Sequence, residues 1–268
     1  MNPIVMIARP RSGTNALRDI LKRSGGITVL GEVFHNRYAD ERLGFFTYFR
    51  EMVARDPDLA LPSEENRRAL LIGYLRRLHE LTGTPEARPL LFGVNYNSLH
   101  CLNTYWQNAY EPPFLVGLVR QLGWRVIHLV RRDVLGALVS ELRAKRLGVW
   151  HARRSHGGKA PEAGKLQVPV ARLRFELEQR EAEIEALEDA FRKHPKALTV
   201  VYEELFDAGG RPSEAVLARI GAFLELPERL RAETDFVKTR AAGISDMVEN
   251  LEEMREALRG SRFERLLG

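Results

Sequence analysis

PIVMIARPRSGTNALRDILKR, residues 3–23, decides the architecture. Its first six residues form a short apolar run rich in β-branched side chains, the pattern of a strand buried on both faces. Arg9-Pro10 stops that run, because proline cannot continue a hydrogen-bond ladder. Gly13 then permits a tight turn, and NALRDILKR, residues 15–23, is compatible with a helix. Strand, glycine turn and helix in that order make the opening unit of an α/β domain.

Working outward, the same unit returns. WRVIHLV at 124–130 reads as a buried strand, ends in Arg131-Arg132-Asp133 and enters VLGALVSELRAKR, whose apolar spacing suits a helix. ALTVVY at 197–202 is a third strand, set between a long charged helical pattern at 170–193 and another helical stretch ending near Leu224. LLFGV at 90–94 adds a further strand, and a second strand is expected just before LGEVFHN at 30–36. The stretches 41–55 and 63–82 are helical in character and read as insertions covering a sheet edge. The expectation is therefore α/β, with a mostly parallel central sheet flanked by helices, in one domain spanning 1–268. Residues 153–165, RRSHGGKAPEAGK, lack periodicity and read as a loop, a candidate lid on the acceptor side.

Composition narrows the class. At 268 residues and 44% hydrophobic the chain can bury a sizeable core, and it holds no apolar run near the length of a membrane span. No basic flank followed by a signal-type apolar core opens it, so the cytoplasm is the default location. Cys101 is the single cysteine, which leaves no intrachain disulfide and no thiol metal cluster. The net charge of +5 is spread through helical segments mixed with acids, unlike the basic arm or face of a nucleic-acid binder. Oligomeric state stays open.

Chemistry concentrates at two strand ends. In Arg9-Pro10-Arg11-Ser12-Gly13-Thr14-Asn15 a glycine turn feeds a helix start, where unpaired N–H groups and the helix dipole favour an anion. Ser12, Thr14 and Asn15 add polar side chains, and Arg11 adds a charge. This is not a Walker loop: with Gly13 taken as its second glycine, Ala8, Thr14 and Asn15 stand at its other three positions. Arg132, at the end of the 124–130 run, is followed eight residues later by Ser140. A guanidinium fork with a hydroxyl suits a terminal phosphate. The plainer alternatives are a capped turn at 9–15, and surface arginines with a neutral helix serine at 131–140.

PRSGTN at 10–15 followed by VIHLVRRDVLGALVS at 126–140 resembles the two nucleotide motifs of sulfotransferases that use 3′-phosphoadenosine 5′-phosphosulfate (PAPS). GEVFHN at 31–36, LFGVN at 91–95 and YEEL at 202–205 are similar to bacterial carbohydrate sulfotransferases of the nodulation-factor and trehalose type. The resemblance implies a P-loop-like fold with helical insertions. It implies that Arg11, Ser12, Gly13, Thr14 and Asn15 hold the 5′-phosphosulfate, with Arg11 in the place of the family's catalytic lysine or arginine. Arg132 and Ser140 would hold the 3′-phosphate, with Arg240 in the late basic segment as a second partner. Tyr202 is the candidate for adenine. The acceptor would be a hydroxyl of a glycan or glycolipid, the nucleotide product adenosine 3′,5′-bisphosphate (PAP), and no metal would be required.

In-line displacement by a hydroxyl needs a base, and Glu32 and His35 are the local candidates, Glu32 leading. Asn95 stands where related sequences often carry lysine and receives no catalytic role. Two other readings stay open: a nucleotide kinase on the same frame, and a noncatalytic nucleotide- or RNA-binding protein using the basic loops.

Overall fold

The computed structural model describes residues 3–35, 41–105, 111–148, 164–207, 209–236 and 243–268. Most of the loop expected at 153–165, and Arg240 with its neighbours at 237–242, lie outside the described residues.

Five strands form one sheet, β1 (Pro3–Ala8), β2 (Thr28–Glu32), β3 (Leu90–Asn95), β4 (Arg125–Val130) and β5 (Ala197–Val201), in the order β2-β3-β1-β4-β5. Every pairing is parallel. The apolar runs read from the sequence are thus the strands, to within a residue. The fold is α/β with a parallel sheet flanked by helices, as expected. Parallel strands need crossover connections, and the chain supplies α1 (Thr14–Ser24) after β1, α2 (Phe45–Arg55) and α3 (Glu64–Thr82) after β2, and α4 (Phe114–Gln121) before β4. α5 (Val134–Leu147) and α6 (Leu173–Phe191) join β4 to β5. α7 (Glu214–Leu224), the single turn α8 (Ile244–Met247) and α9 (Leu251–Leu258) follow.

Alternation along β1 divides the core. Ile4, Met6 and Ala8 pack with α1 and α7 on one face, while Val5 and Ile7 face α2, α3 and α4 on the other. The 41–55 and 63–82 segments therefore cover a face of the sheet and not its edge: Phe45, Tyr74 and Leu78 sit in the same buried cluster as Phe92 and Val94. Helix α2 begins at Phe45, later than the expected 41, because Gly44 is extended (φ −79°, ψ 135°). A third cluster joins α5, α6 and α9 through Leu135, Leu177 and Met254, and carries the C-terminal part of the chain against the end of β4 at Val130.

The strand order sets the site. From β1 the chain leaves toward β3 and β2, whereas from β4 it leaves toward β5. The carboxyl ends of β1 and β4 are therefore neighbours whose connections diverge, the crevice where parallel sheets hold ligands. Ala8 is in register with Leu129 and Asn95, and Val130 with Val201. Arg9, Arg131 and Tyr202 consequently emerge side by side on one edge.

Candidate functional site

The loop after β1 is compact and strained. Arg11 adopts φ 69° and Gly13 φ 85°, and a left-handed conformation costs a non-glycine residue on the order of 1–2 kcal/mol. Gly13 is needed for space as well, because a Cβ there would lie 2.6 Å from Cδ2 of the Tyr202 ring. Helix α1 starts at this glycine with no side-chain cap and no acidic residue in its first turn. Its first intrahelical bond runs from Leu17 N–H to the Gly13 carbonyl, so the N–H groups of Thr14, Asn15 and Ala16 precede the helical ladder.

The start of α5, at the neighbouring strand end, is built differently. Asp133 accepts from Gly136 N–H at 2.7 Å, and the Glu203 carboxylate accepts from the N–H groups of Arg132 at 3.2 Å and Asp133 at 3.0 Å. Gly136 leaves room for this cap, since a Cβ there would overlap Asp133 Oδ2 at 1.9 Å. One helix start is thus filled by carboxylates while the other has none in its first turn, which makes α1 the anion-attracting terminus of the pair.

Guanidinium groups gather beside it. Arg11 Nε donates to Ser140 Oγ at 2.9 Å, and Arg131 Nη1 donates to the Arg11 carbonyl at 3.3 Å. Arg131 also lies over the Tyr202 ring, 5.0 Å from its centroid, and pairs with Asp133 at 3.1 Å. Burial and the Arg131 charge lower the Arg11 pKa, and burial and the Arg180 charge lower that of Arg9. The Nε atoms of Arg9 and Arg131 and Nη1 of Arg180 are buried with no hydrogen-bond partner. Glu183 already pairs with Arg9, and Glu141 and Glu176 with Arg180, so the like charges whose crowding favours an anion are Arg11 and Arg131.

The expected pairing of Arg132 with Ser140 is replaced by Arg11 with Ser140. Consecutive residues leaving a strand point to opposite sides: Arg131 turns toward the β1 loop, while Arg132 turns toward α6 and forks onto Glu188, with one arm at 3.1 Å. Arg131, read as part of a surface pair, is the residue brought to the loop. Its position directly after the buried run was the signal available. Tyr202 is half-buried between Gly13, Arg131 and Phe206 (ring centroids 6.2 Å apart), so it supports the loop and the arginine. Ser12 is 1% exposed.

Glu32 ends β2 and shares a tight turn with His35, whose N–H donates to the Glu32 carbonyl at 3.1 Å. Asn95 Nδ2 donates to Glu32 Oε2 at 2.6 Å, and Arg18 Nη2 approaches Oε1 at 3.4 Å. Arg18 also donates to Asn15 Oδ1, which connects Glu32 to the first turn of α1. Neither Arg18 nor Asn95 was assigned a role from the sequence. GEVFHN and LFGVN end adjacent parallel strands, and only that adjacency puts Asn95 beside Glu32. His128, fully buried in β4, is bonded through Nε2 to the Tyr96 hydroxyl at 2.6 Å. Burial lowers its pKa to about 4.

Chemically, the edge offers an uncapped helix start, two juxtaposed guanidinium groups with a serine hydroxyl, and a tethered carboxylate. Such a set can bind a phosphorylated ligand and accept a proton. Among the described residues no helix is long and apolar enough to cross a membrane. No family model matches the chain, and no curated protein matches it. Among solved structures, a sulfotransferase domain from the curacin biosynthetic pathway is similar over 100% of this chain and 89% of its own, at 14% identity and a TM-score of 0.44, a likeness too weak to assign fold or function.

Proposed function

We propose that this protein is a sulfotransferase that moves the sulfuryl group of PAPS to a hydroxyl of a carbohydrate or glycolipid. The observation that carries the reading is the meeting of Arg11, Arg131 and Ser140 with the uncapped start of α1, where the connections from β1 and β4 diverge. The motif resemblance supplies the donor and the acceptor class. In this reading the acceptor oxygen bonds to sulfur, the bond from sulfur to the 5′-phosphate oxygen breaks, and the acceptor proton passes to Glu32. Negative charge grows on the departing phosphate, where the Arg11 guanidinium and the N–H groups of 14–16 stabilise it. Arg11 retains its proton and acts electrostatically. Arg131 takes the part in 3′-phosphate recognition expected of Arg132, with Ser140 at the same loop through its bond to Arg11.

Titration of PAP against AMP tests this. A charge-assisted contact is worth roughly 1.5–3 kcal/mol, so native protein should prefer PAP by at least about tenfold. Arg131→Ala should remove most of that preference and Arg132→Ala less than about threefold of it, at two salt concentrations to separate diffuse attraction. Equal affinities for PAP and AMP on native protein would refute the reading. Transfer of labelled sulfate to sugars, lipids and phenols then identifies the acceptor.

A further inference from the structure

Resting on that function, we infer that Arg18 is a positioning residue: it neutralises the Glu32 carboxylate and ties it to Asn15, so that the base stands beside an anionic donor without repelling it.

The side chain is built into the fold. Arg18 leaves α1 one turn after Asn15 and crosses to the ends of β2 and β3, and its side chain is 12% exposed. Gly93 makes room for it: a Cβ there would stand 3.3 Å from Arg18 Nη1, 3.4 Å from the Gly31 carbonyl and 3.5 Å from Glu32 Cγ. Nη2 faces both Asn15 Oδ1 and Glu32 Oε1, while Asn95, 6% exposed, donates to the other carboxylate oxygen. Asn15, Arg18, Glu32 and Asn95 therefore form one polar chain across α1, β2 and β3.

Charge decides why this chain has an arginine at its centre. Glu32 is linked through two side chains to the helix start proposed to bind phosphate, and its side chain is only 25% exposed. An uncompensated carboxylate there would oppose the ligand, and partial burial weakens solvent screening of that repulsion. A guanidinium held between carboxylate and helix start cancels the charge and leaves the other oxygen's geometry to Asn95.

PAP titration of four proteins separates this role from a structural one. Arg18→Gln should weaken PAP binding about tenfold, which corresponds to about 1.4 kcal/mol. Arg18→Lys, which keeps the charge, should stay within about threefold of native. The double variant Arg18→Gln with Glu32→Gln should return to within about threefold of native, since the charge that Arg18 offsets is gone. Native affinity in Arg18→Gln would overturn the inference. So would a double variant that binds as weakly as the single one, or that fails to fold, because Arg18 would then serve the nucleotide or the fold directly. Failure of native protein to bind PAP would instead overturn the function on which the inference rests.

Discussion

Replacing Gly13 with alanine tests how the loop and Tyr202 depend on each other. The backbone at Gly13 has φ 85°, ψ 14°, and a Cβ in that conformation costs roughly 1–2 kcal/mol. The same Cβ would stand 2.6 and 2.8 Å from two ring carbons of Tyr202, where about 3.5–4.0 Å is comfortable. The ring cannot swing aside freely, because Arg131 lies over it at 5.0 Å and Phe206 meets it edge-on. Overpacking of this kind costs about 1–3 kcal/mol, against a gain of about 0.4–1 kcal/mol from restricting the unfolded chain. Gly13→Ala should therefore lose about 2–3 kcal/mol in urea unfolding at unchanged m-value. In a Tyr202→Ala background the same substitution should cost only its backbone share, about 1 kcal/mol, which gives a coupling that a double-mutant cycle reads directly. An equal cost in both backgrounds would show that the ring is not what excludes a side chain. A loss below about 0.5 kcal/mol would refute the backbone argument too.

His128 makes stability depend on acid. Its pKa falls from the ordinary 6.5 to about 4 on folding, so the unfolded chain binds the proton first and the native state loses about 3 kcal/mol as pH falls from above 6.5 through 4. His128→Gln, which keeps a partner for Tyr96, should flatten that part of the profile in denaturation measured across the window. Arg180, 3% exposed, bridges Glu141 at 3.0 Å and Glu176 at 2.8 Å. Arg180→Ala should lose about 2–3 kcal/mol, less than the roughly 3–5 kcal/mol of a fully stranded charge, because Glu141 keeps Lys145 at 2.7 Å, and Arg180→Met with Glu141→Gln should recover most of it; equal melting of the single and double variants would show that the lost ion pair is not the cause.

The central strands were legible because a strand buried on both faces has to be written as a near-continuous apolar run, and 3–8, 90–94 and 126–130 are such runs bounded by turn residues, whereas the edge strand 197–201, with Thr199 exposed, was marked by its β-branched residues. Helices α3, α6 and α7 were legible for a related reason: their spacing and flanking residues are local, as with Ser63, which accepts from Asn66 N–H at the start of α3. Helix α4 was not anticipated, although LVGLVRQ is apolar, because its eight residues give too short a period to distinguish from a strand. The glycine loop and the two arginines at the end of β4 also stood out, since each lies at a junction that local sequence marks.

What residues 131 and 132 do could not be read that way. They have the same side chain on consecutive positions, and only the placement of α6 decides that Arg132 meets Glu188 while Arg131 reaches the β1 loop. Tertiary structure likewise decided that Arg11 takes Ser140, 129 positions away, and that Asn95 meets Glu32, 63 positions away. Local sequence determines where a chain is extended, coiled or turned, because those preferences act over a few residues. Which charges share a partner depends on strand order and helix docking, which bring together atoms whose separation along the chain carries no trace of the contact.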